Sequence, residues 1–107
     1  MDAIKQLAEV IAQRKQHPEV GSYTCYLFEK GLDKVLKKCG EECAETIIAA
    51  KNEDKEELIN EIADLVYHVL VLMAVKGVSV EEVEEILRQR SQKIGNLKTF
   101  HQVDRNS

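Results

Sequence analysis

Apolar residues return along this chain mostly at helical intervals, and polar turn residues punctuate them. Ile4, Leu7 and Ile11 recur at i, i+3 and i+7, which predicts an amphipathic helix ending near His17-Pro18. The loop "PEVGS" follows, and Ser22 is placed to cap a short helix that runs to Lys30 and leaves through a left-handed Gly31. The next helix is predicted from about Asp33 to Lys51, with Leu32, Leu36, Cys39, Cys43, Ile47 and Ala50 on one apolar stripe. After the tight connection "NED", Asp54 and Glu57 have the spacing of a capping box, and a long helix runs to Lys76 and stops at Gly77. Ser79 and Glu82 open a last helix in the same way, with Val83, Ile86 and Leu87 as its narrow apolar stripe. From Gly95 the tail "GNLKTFHQVDRNS" has no clear period and reads as a mobile end.

No strand pattern competes, so the predicted class is all-α: a bundle of about five helices. At 107 residues the chain makes one domain, 1–107, with a single modest core. The long helix changes that picture. Its first half is amphipathic, but from Leu65 to Val75 it is apolar nearly all round, and such a helix needs protein on every side. The chain has few other helices to cover it, so a homodimer that completes a shared bundle is expected.

A formal charge of −4 argues against a protein that coats nucleic acid, whose phosphates call for a basic surface. The apolar run "LVYHVLVLMAV" at 65–75 is too short for a membrane span and contains a histidine. No secretory pattern opens the sequence. Three cysteines, at 25, 39 and 43, then read as reduced thiols of a cytoplasmic protein.

Candidate chemistry lies in the acids. Glu42 and Glu45 are spaced i, i+3, as are Glu61 and Asp64, so each pair shares a helix face. The pairs are also symmetric about Glu53: Glu45 and Glu61 lie eight residues either side, Glu42 and Asp64 eleven. On adjacent antiparallel helices rising about 1.5 Å per residue, all four carboxylates converge on one volume. The face of Glu61 and Asp64 continues through His68 into apolar Leu72 and Val75, which puts the acids at the mouth of a bundle. Unpaired anions there repel one another and raise their pKa values, and a divalent cation removes the conflict. An all-oxygen set favours Mg²⁺ or Mn²⁺ over zinc. A di-iron bundle fits less well, because four residues rather than three separate Asp64 from His68. The plainer alternative is a pair of solvated acidic faces.

The runs "EECAE" and "EIAD" resemble the EExxE…ExxD pattern of the all-α MazG-like pyrophosphohydrolases. More narrowly, "GSYTCYLFEKGLDKVLKKCGEECAETIIAAKN" with "ELINEIADLVYHVLVLM" is similar to the phosphoribosyl-ATP pyrophosphohydrolases of histidine biosynthesis, over about residues 20–100. That resemblance implies Mg²⁺-dependent hydrolysis of 1-(5-phosphoribosyl)-ATP to 1-(5-phosphoribosyl)-AMP and pyrophosphate by a homodimeric bundle. It implies Glu42, Glu45, Glu61 and Asp64 as metal ligands and Glu41, Glu42 and Glu45 as catalytic acids. Glu41 is then a further ligand or the base that orients water. The C-terminal "SQKIGNLKTFH" departs from the Ser-Gly-Glu-Glu-Lys-rich ending of many members. The cyclohydrolase fused to this activity in some organisms is expected on a separate chain.

Basic and hydroxyl groups complete the expected substrate site. Lys38 sits four residues before Glu42 on the same face and is placed to contact phosphate, or simply to pair with the acids. Ser22, Tyr23 and Thr24 stand at a helix N-terminus, where free N–H groups can cradle a phosphate. Arg88, Arg90 and Lys93 fit a solvated last helix. His68 is expected to be buried and hydrogen-bonded. Cys39 and Cys43 are expected as small core residues rather than a thiolate site, and Tyr67 and Phe28 as core or interface. Two other functions remain open at this point: a MazG-like house-cleaning nucleoside triphosphate pyrophosphatase using the same acids, and a non-enzymatic helical adaptor.

Overall fold

The computed structural model describes residues 2–93. The expected mobile tail, 95–107, lies outside them. Five helices follow one another: α1 (Ala3–Gln16), α2 (Tyr23–Lys30), α3 (Leu32–Lys51), α4 (Lys55–Lys76) and α5 (Val80–Gln92). There is no strand among the described residues, so the all-α class holds.

Local chemistry sets the boundaries. Ser22 Oγ accepts from the Cys25 amide at 3.2 Å and opens α2. Gly31 closes it with φ 89° and ψ −172° and also stands directly before α3. The backbone there is extended rather than the left-handed turn expected, and with that positive φ only glycine adopts it without strain. Ser79 and Glu82 make both halves of a capping box, at 3.1 and 2.8 Å. Asp54 makes only the forward half, accepting from the Glu57 amide at 3.1 Å. Gly77 ends α4 in the left-handed conformation, φ 71° and ψ 29°.

α3 and α4 pack as an antiparallel hairpin, while α1 and α2 cover one side of it. The core joins Ile11 of α1, Leu27 of α2, Val35 of α3, and Leu70 and Val71 of α4, with Phe28, Cys39 and Tyr67 packed against it. Lys15 Nζ ties α1 to α4 by donating to the Ala74 carbonyl at 2.9 Å.

One expectation about α3 is corrected. The stripe read as its core face is largely uncovered: Leu36, Cys43, Ile47 and Ala50 are exposed, with Ile47 at 65%. The inward stripe is instead Val35, Cys39, Glu42 and Ala49. The physical reason is that α3 is apolar on more than one side, and α1 and α2 together are too short to cover it all. α4 has the same surplus, with Ile59, Ile62 and Val69 exposed along one face. By length and composition alone this 22-residue helix is apolar enough to cross a membrane. Its Glu61 and His68 are nonetheless turned onto α3 and α2. Glu42 is the unexpected member of the inward stripe, since it is a carboxylate in a core position.

Candidate metal centre and its aromatic flank

The hairpin brings the acids to one height. Thr46 Oγ1 lies 2.7 Å from the Glu42 carbonyl and 3.4 Å from the Glu61 carbonyl, stitching α3 to α4 beside them. Glu42, Glu45 and Glu61 each direct a carboxylate oxygen into one group, all within 4.8 Å of one another. Glu42 is buried, Glu61 half-buried and Glu45 exposed, so the cluster opens to solvent on one side. Asp64 does not join it. It is exposed one turn further along α4, and its side chain is one methylene shorter than glutamate. Its charge still bears on both Glu42 and Glu61.

Crowding and burial raise the pKa of two of these acids. Burial, then the close approach of the Glu45 carboxyl and its charge, push the Glu42 carboxyl above the usual glutamate range. The Glu61 carboxyl rises to about 7, first through the close Glu45 carboxyl, with which it can share a proton, then through burial and the charges of Glu45, Glu42 and Asp64. Glu42 Oε2 and Glu61 Oε2 are buried without any hydrogen-bond partner. Such orphaned acceptors are costly unless something positive meets them. An all-carboxylate donor set at this spacing fits a hard divalent cation, which prefers oxygen. The residues present therefore fit the metal that the acid pattern implies.

Around the acids, Lys38 Nζ donates to Glu41 Oε2 at 3.1 Å and reaches Glu42 Oε1 at 4.0 Å. That bond to Glu41 is the main cause of a raised Lys38 pKa and of a lowered Glu41 pKa, so both stay charged. Glu41 points to Lys38 rather than into the three-acid group.

The other flank is aromatic and was not visible along the chain. His68 is buried, as expected, and its Nδ1 is 2.7 Å from the Asp64 carbonyl. A carbonyl only accepts, so Nδ1 carries a hydrogen and donates to it, and Nε2 shares a hydrogen bond with the Tyr23 hydroxyl, 3.0 Å away. The Thr24 hydroxyl bonds to the Tyr67 hydroxyl. Tyr23 stacks against Tyr26 and Tyr67 with centroids 6.0 and 6.1 Å apart. The hydroxyls of Ser22, Tyr23 and Thr24, expected to face a phosphate, are thus engaged in a helix cap and in ties to α4. Of the basic residues on α5, Arg88 pairs at the surface with Glu85 at 3.5 Å. Cys43 is exposed, which corrects its expected core position, while Cys39 is half-buried as a small core residue.

Comparison with known proteins matches this sequence to one group of enzymes. Residues 4–91 match the family model described as phosphoribosyl-ATP pyrophosphohydrolase. A phosphoribosyl-ATP pyrophosphatase of Clostridium botulinum is 56% identical over 97 residues, covering 91% of this chain and 88% of the relative. The protein of that name from Bacillus cytotoxicus is 50% identical over 101 residues, covering 94% of each. A histidine biosynthesis bifunctional protein of Lactococcus lactis, HisIE, is 53% identical over 100 residues, 94% of this chain but 47% of that protein. With a matched region that takes in α1 to α4 and most of α5, including all five acids, the chain belongs to the phosphoribosyl-ATP pyrophosphohydrolase family.

Proposed function

We propose that this chain hydrolyses 1-(5-phosphoribosyl)-ATP to 1-(5-phosphoribosyl)-AMP and pyrophosphate in histidine biosynthesis, with Mg²⁺, or Mn²⁺ in its place, at the acid cluster. The observation that carries the metal reading is the pair of buried carboxylate oxygens, on Glu42 and Glu61, that no hydrogen bond satisfies. Glu42, Glu45 and Glu61 would hold the ion, with Asp64, one turn further along α4, adding its charge at the rim. When bound, the ion neutralises charge on the phosphoryl oxygens and lowers the pKa of a coordinated water.

The protein's own residues supply the rest. Release of pyrophosphate breaks the anhydride between the α- and β-phosphorus, and a water oxygen takes its place on the α-phosphorus. Glu41, kept ionised by Lys38, stands beside the cluster to orient that water. Lys38 offers its ammonium to the phosphates at the rim. Ser22, Tyr23 and Thr24, on the α2 side, form the opposite wall of the substrate site. The reading places the enzyme in the cytoplasm with the pathway it serves.

The decisive assay incubates purified protein with phosphoribosyl-ATP, and separately with canonical nucleoside triphosphates, in Mg²⁺. Phosphoribosyl-AMP and pyrophosphate should appear while the triphosphates remain largely intact. Preferential turnover of the triphosphates would move the protein to the house-cleaning branch.

The proposal includes a homodimer, supported by the uncovered stripes on α3 and α4. Ile47, Ile48, Ile59 and Ile62 are all exposed there in the single chain, and apolar side chains grouped in this way mark an interaction surface. Ile62→Glu is expected to convert a dimer into a monomer by sedimentation velocity. A wild-type chain already monomeric at assay concentration would remove the dimer.

A further inference from the structure

All three tyrosines of this chain gather at one edge of the acid cluster. Tyr23 and Tyr26 are 46% and 40% exposed. Their centroids are 6.0 Å apart with an interplanar angle of 24°, an offset arrangement that leaves part of each ring face uncovered. The ring of Tyr23 is held by the bond from its hydroxyl to His68 at 3.0 Å. That hydroxyl also lies within the fields of Lys38 and Glu42, so the aromatic edge adjoins the acids.

A hollow of about 630 Å³ opens beside these rings. Tyr23, Tyr26, Glu19 and Glu29 line it, and no lysine or arginine does. Its size suits a purine nucleoside. Arg14 pairs with Glu19 at 3.3 Å, so the charge in the lining that favours a cation over a phosphate is that of Glu29. One cation already sits at the surface: Lys30 Nζ lies 5.8 Å from the Tyr26 centroid, within cation–π range.

We propose that the Tyr26–Tyr23 surface binds the N1-substituted purine ring of the substrate and selects it over unmodified ATP by the positive charge of that ring. The inference rests on the phosphoribosyl-ATP reading above. A carbon on N1 makes adenine a cation at neutral pH, whereas the adenine of ATP is neutral there. Tyrosine faces attract cations through the ring quadrupole and accept purines by stacking. Glu29 adds electrostatic attraction that a neutral base does not receive, whereas the Glu19 carboxylate is already paired with Arg14 at 3.3 Å. Selection thus acts at the base, where the two nucleotides differ, while the acids act on triphosphates that both possess. The α2 side of the site is assigned to the base rather than to a phosphate.

The chain provides its own reporter. It has no tryptophan, and its three tyrosines are Tyr23, Tyr26 and Tyr67, so ultraviolet emission comes from this edge alone. The full chain is titrated with 1-methyladenosine and with adenosine, which carry no phosphate and need no metal. The expected result is saturable quenching by 1-methyladenosine at about tenfold lower concentration than by adenosine. Tyr26→Leu should weaken 1-methyladenosine binding about tenfold and raise KM for phosphoribosyl-ATP more than it lowers kcat. Tyr26→Phe, which keeps the ring, should restore most of the affinity. Lys30→Met, which removes the resident cation, should tighten 1-methyladenosine binding.

Equal affinity for the two nucleosides, or a preference that Tyr26→Leu leaves intact, overturns the inference. Normal phosphoribosyl-ATP hydrolysis alongside either result leaves the proposed function standing. A Tyr26-dependent preference in a chain that does not cleave phosphoribosyl-ATP upholds the cation-selective surface and sinks the function.

Discussion

Glu42→Gln is expected to lower turnover of phosphoribosyl-ATP by about 10²–10³-fold and, in the metal-free protein, to raise the melting temperature. The two effects have one origin. Glu42 occupies a core position of α3 at 6% exposure, with Oε2 unpartnered and Glu45 and Glu61 within 4.8 Å. The charge that suits it to hold a cation is the charge that the empty cluster must tolerate. Glutamine keeps the shape and removes the charge, and its amide N–H groups can donate to the neighbouring carboxylates. Relief of like-charge crowding and of carboxylate burial therefore favours the folded state. Steady-state kinetics with Mg²⁺ and calorimetry in EDTA read the two effects separately. A variant that turns over normally removes Glu42 from the metal site. One that loses activity and also melts lower would give Glu42 a packing role instead.

Removal of metal is the second large effect. EDTA is expected to reduce turnover to background, and metal-free stability should depend on pH in an unusual direction. Most glutamates in folded proteins gain partners and titrate lower than in the unfolded chain. Here Glu61 titrates at about 7 and Glu42 is also raised, against a reference of 4.5. Between those values the folded chain holds more protons than the unfolded one. The stabilisation associated with these protons is fully present below pH 4.5 and is lost as pH rises toward 7. The metal-free melting temperature is therefore expected to fall across that window and then level off as far as these groups are concerned. Mg²⁺ or Mn²⁺ binds the deprotonated carboxylates, so the stabilisation it provides should grow over the same window. Thermal melts from pH 5 to 8, with EDTA and with Mg²⁺, test both slopes. A metal-free melting temperature that climbs with pH, or that ignores added metal, would count against a shared cation site.

Much of this molecule could be read in order along the chain, for identifiable reasons. Helix ends at Ser22, Asp54, Ser79 and Gly77 were legible because a cap is a contact between residues two to four apart. The convergence of Glu45 and Glu61 was legible because a tight turn at Glu53 leaves a helical hairpin little freedom of register. Which side of α3 faces inward was not. Leu36, Cys39, Cys43 and Ile47 satisfy the helical period as well as Val35, Cys39, Glu42 and Ala49 do, and a period alone names no neighbour. The bond between Tyr23 and His68 joins residues 45 apart, and that between Thr24 and Tyr67 residues 43 apart. No local pattern encodes such pairs.

By itself, the sequence determined five helices, their ends, the all-α class and the acids Glu42, Glu45, Glu61 and Asp64 as the place to look for chemistry. Periodicity and capping are short-range, so the order of residues is enough to read them. Only the tertiary structure decided that three of those acids meet while Asp64 stays outside, that Glu42 lies in a core position, and that three tyrosines and His68 border the cluster. Those outcomes depend on side-chain directions across the α3–α4 hairpin and on how α1 and α2 settle on it, and both are set by packing between residues far apart in the chain.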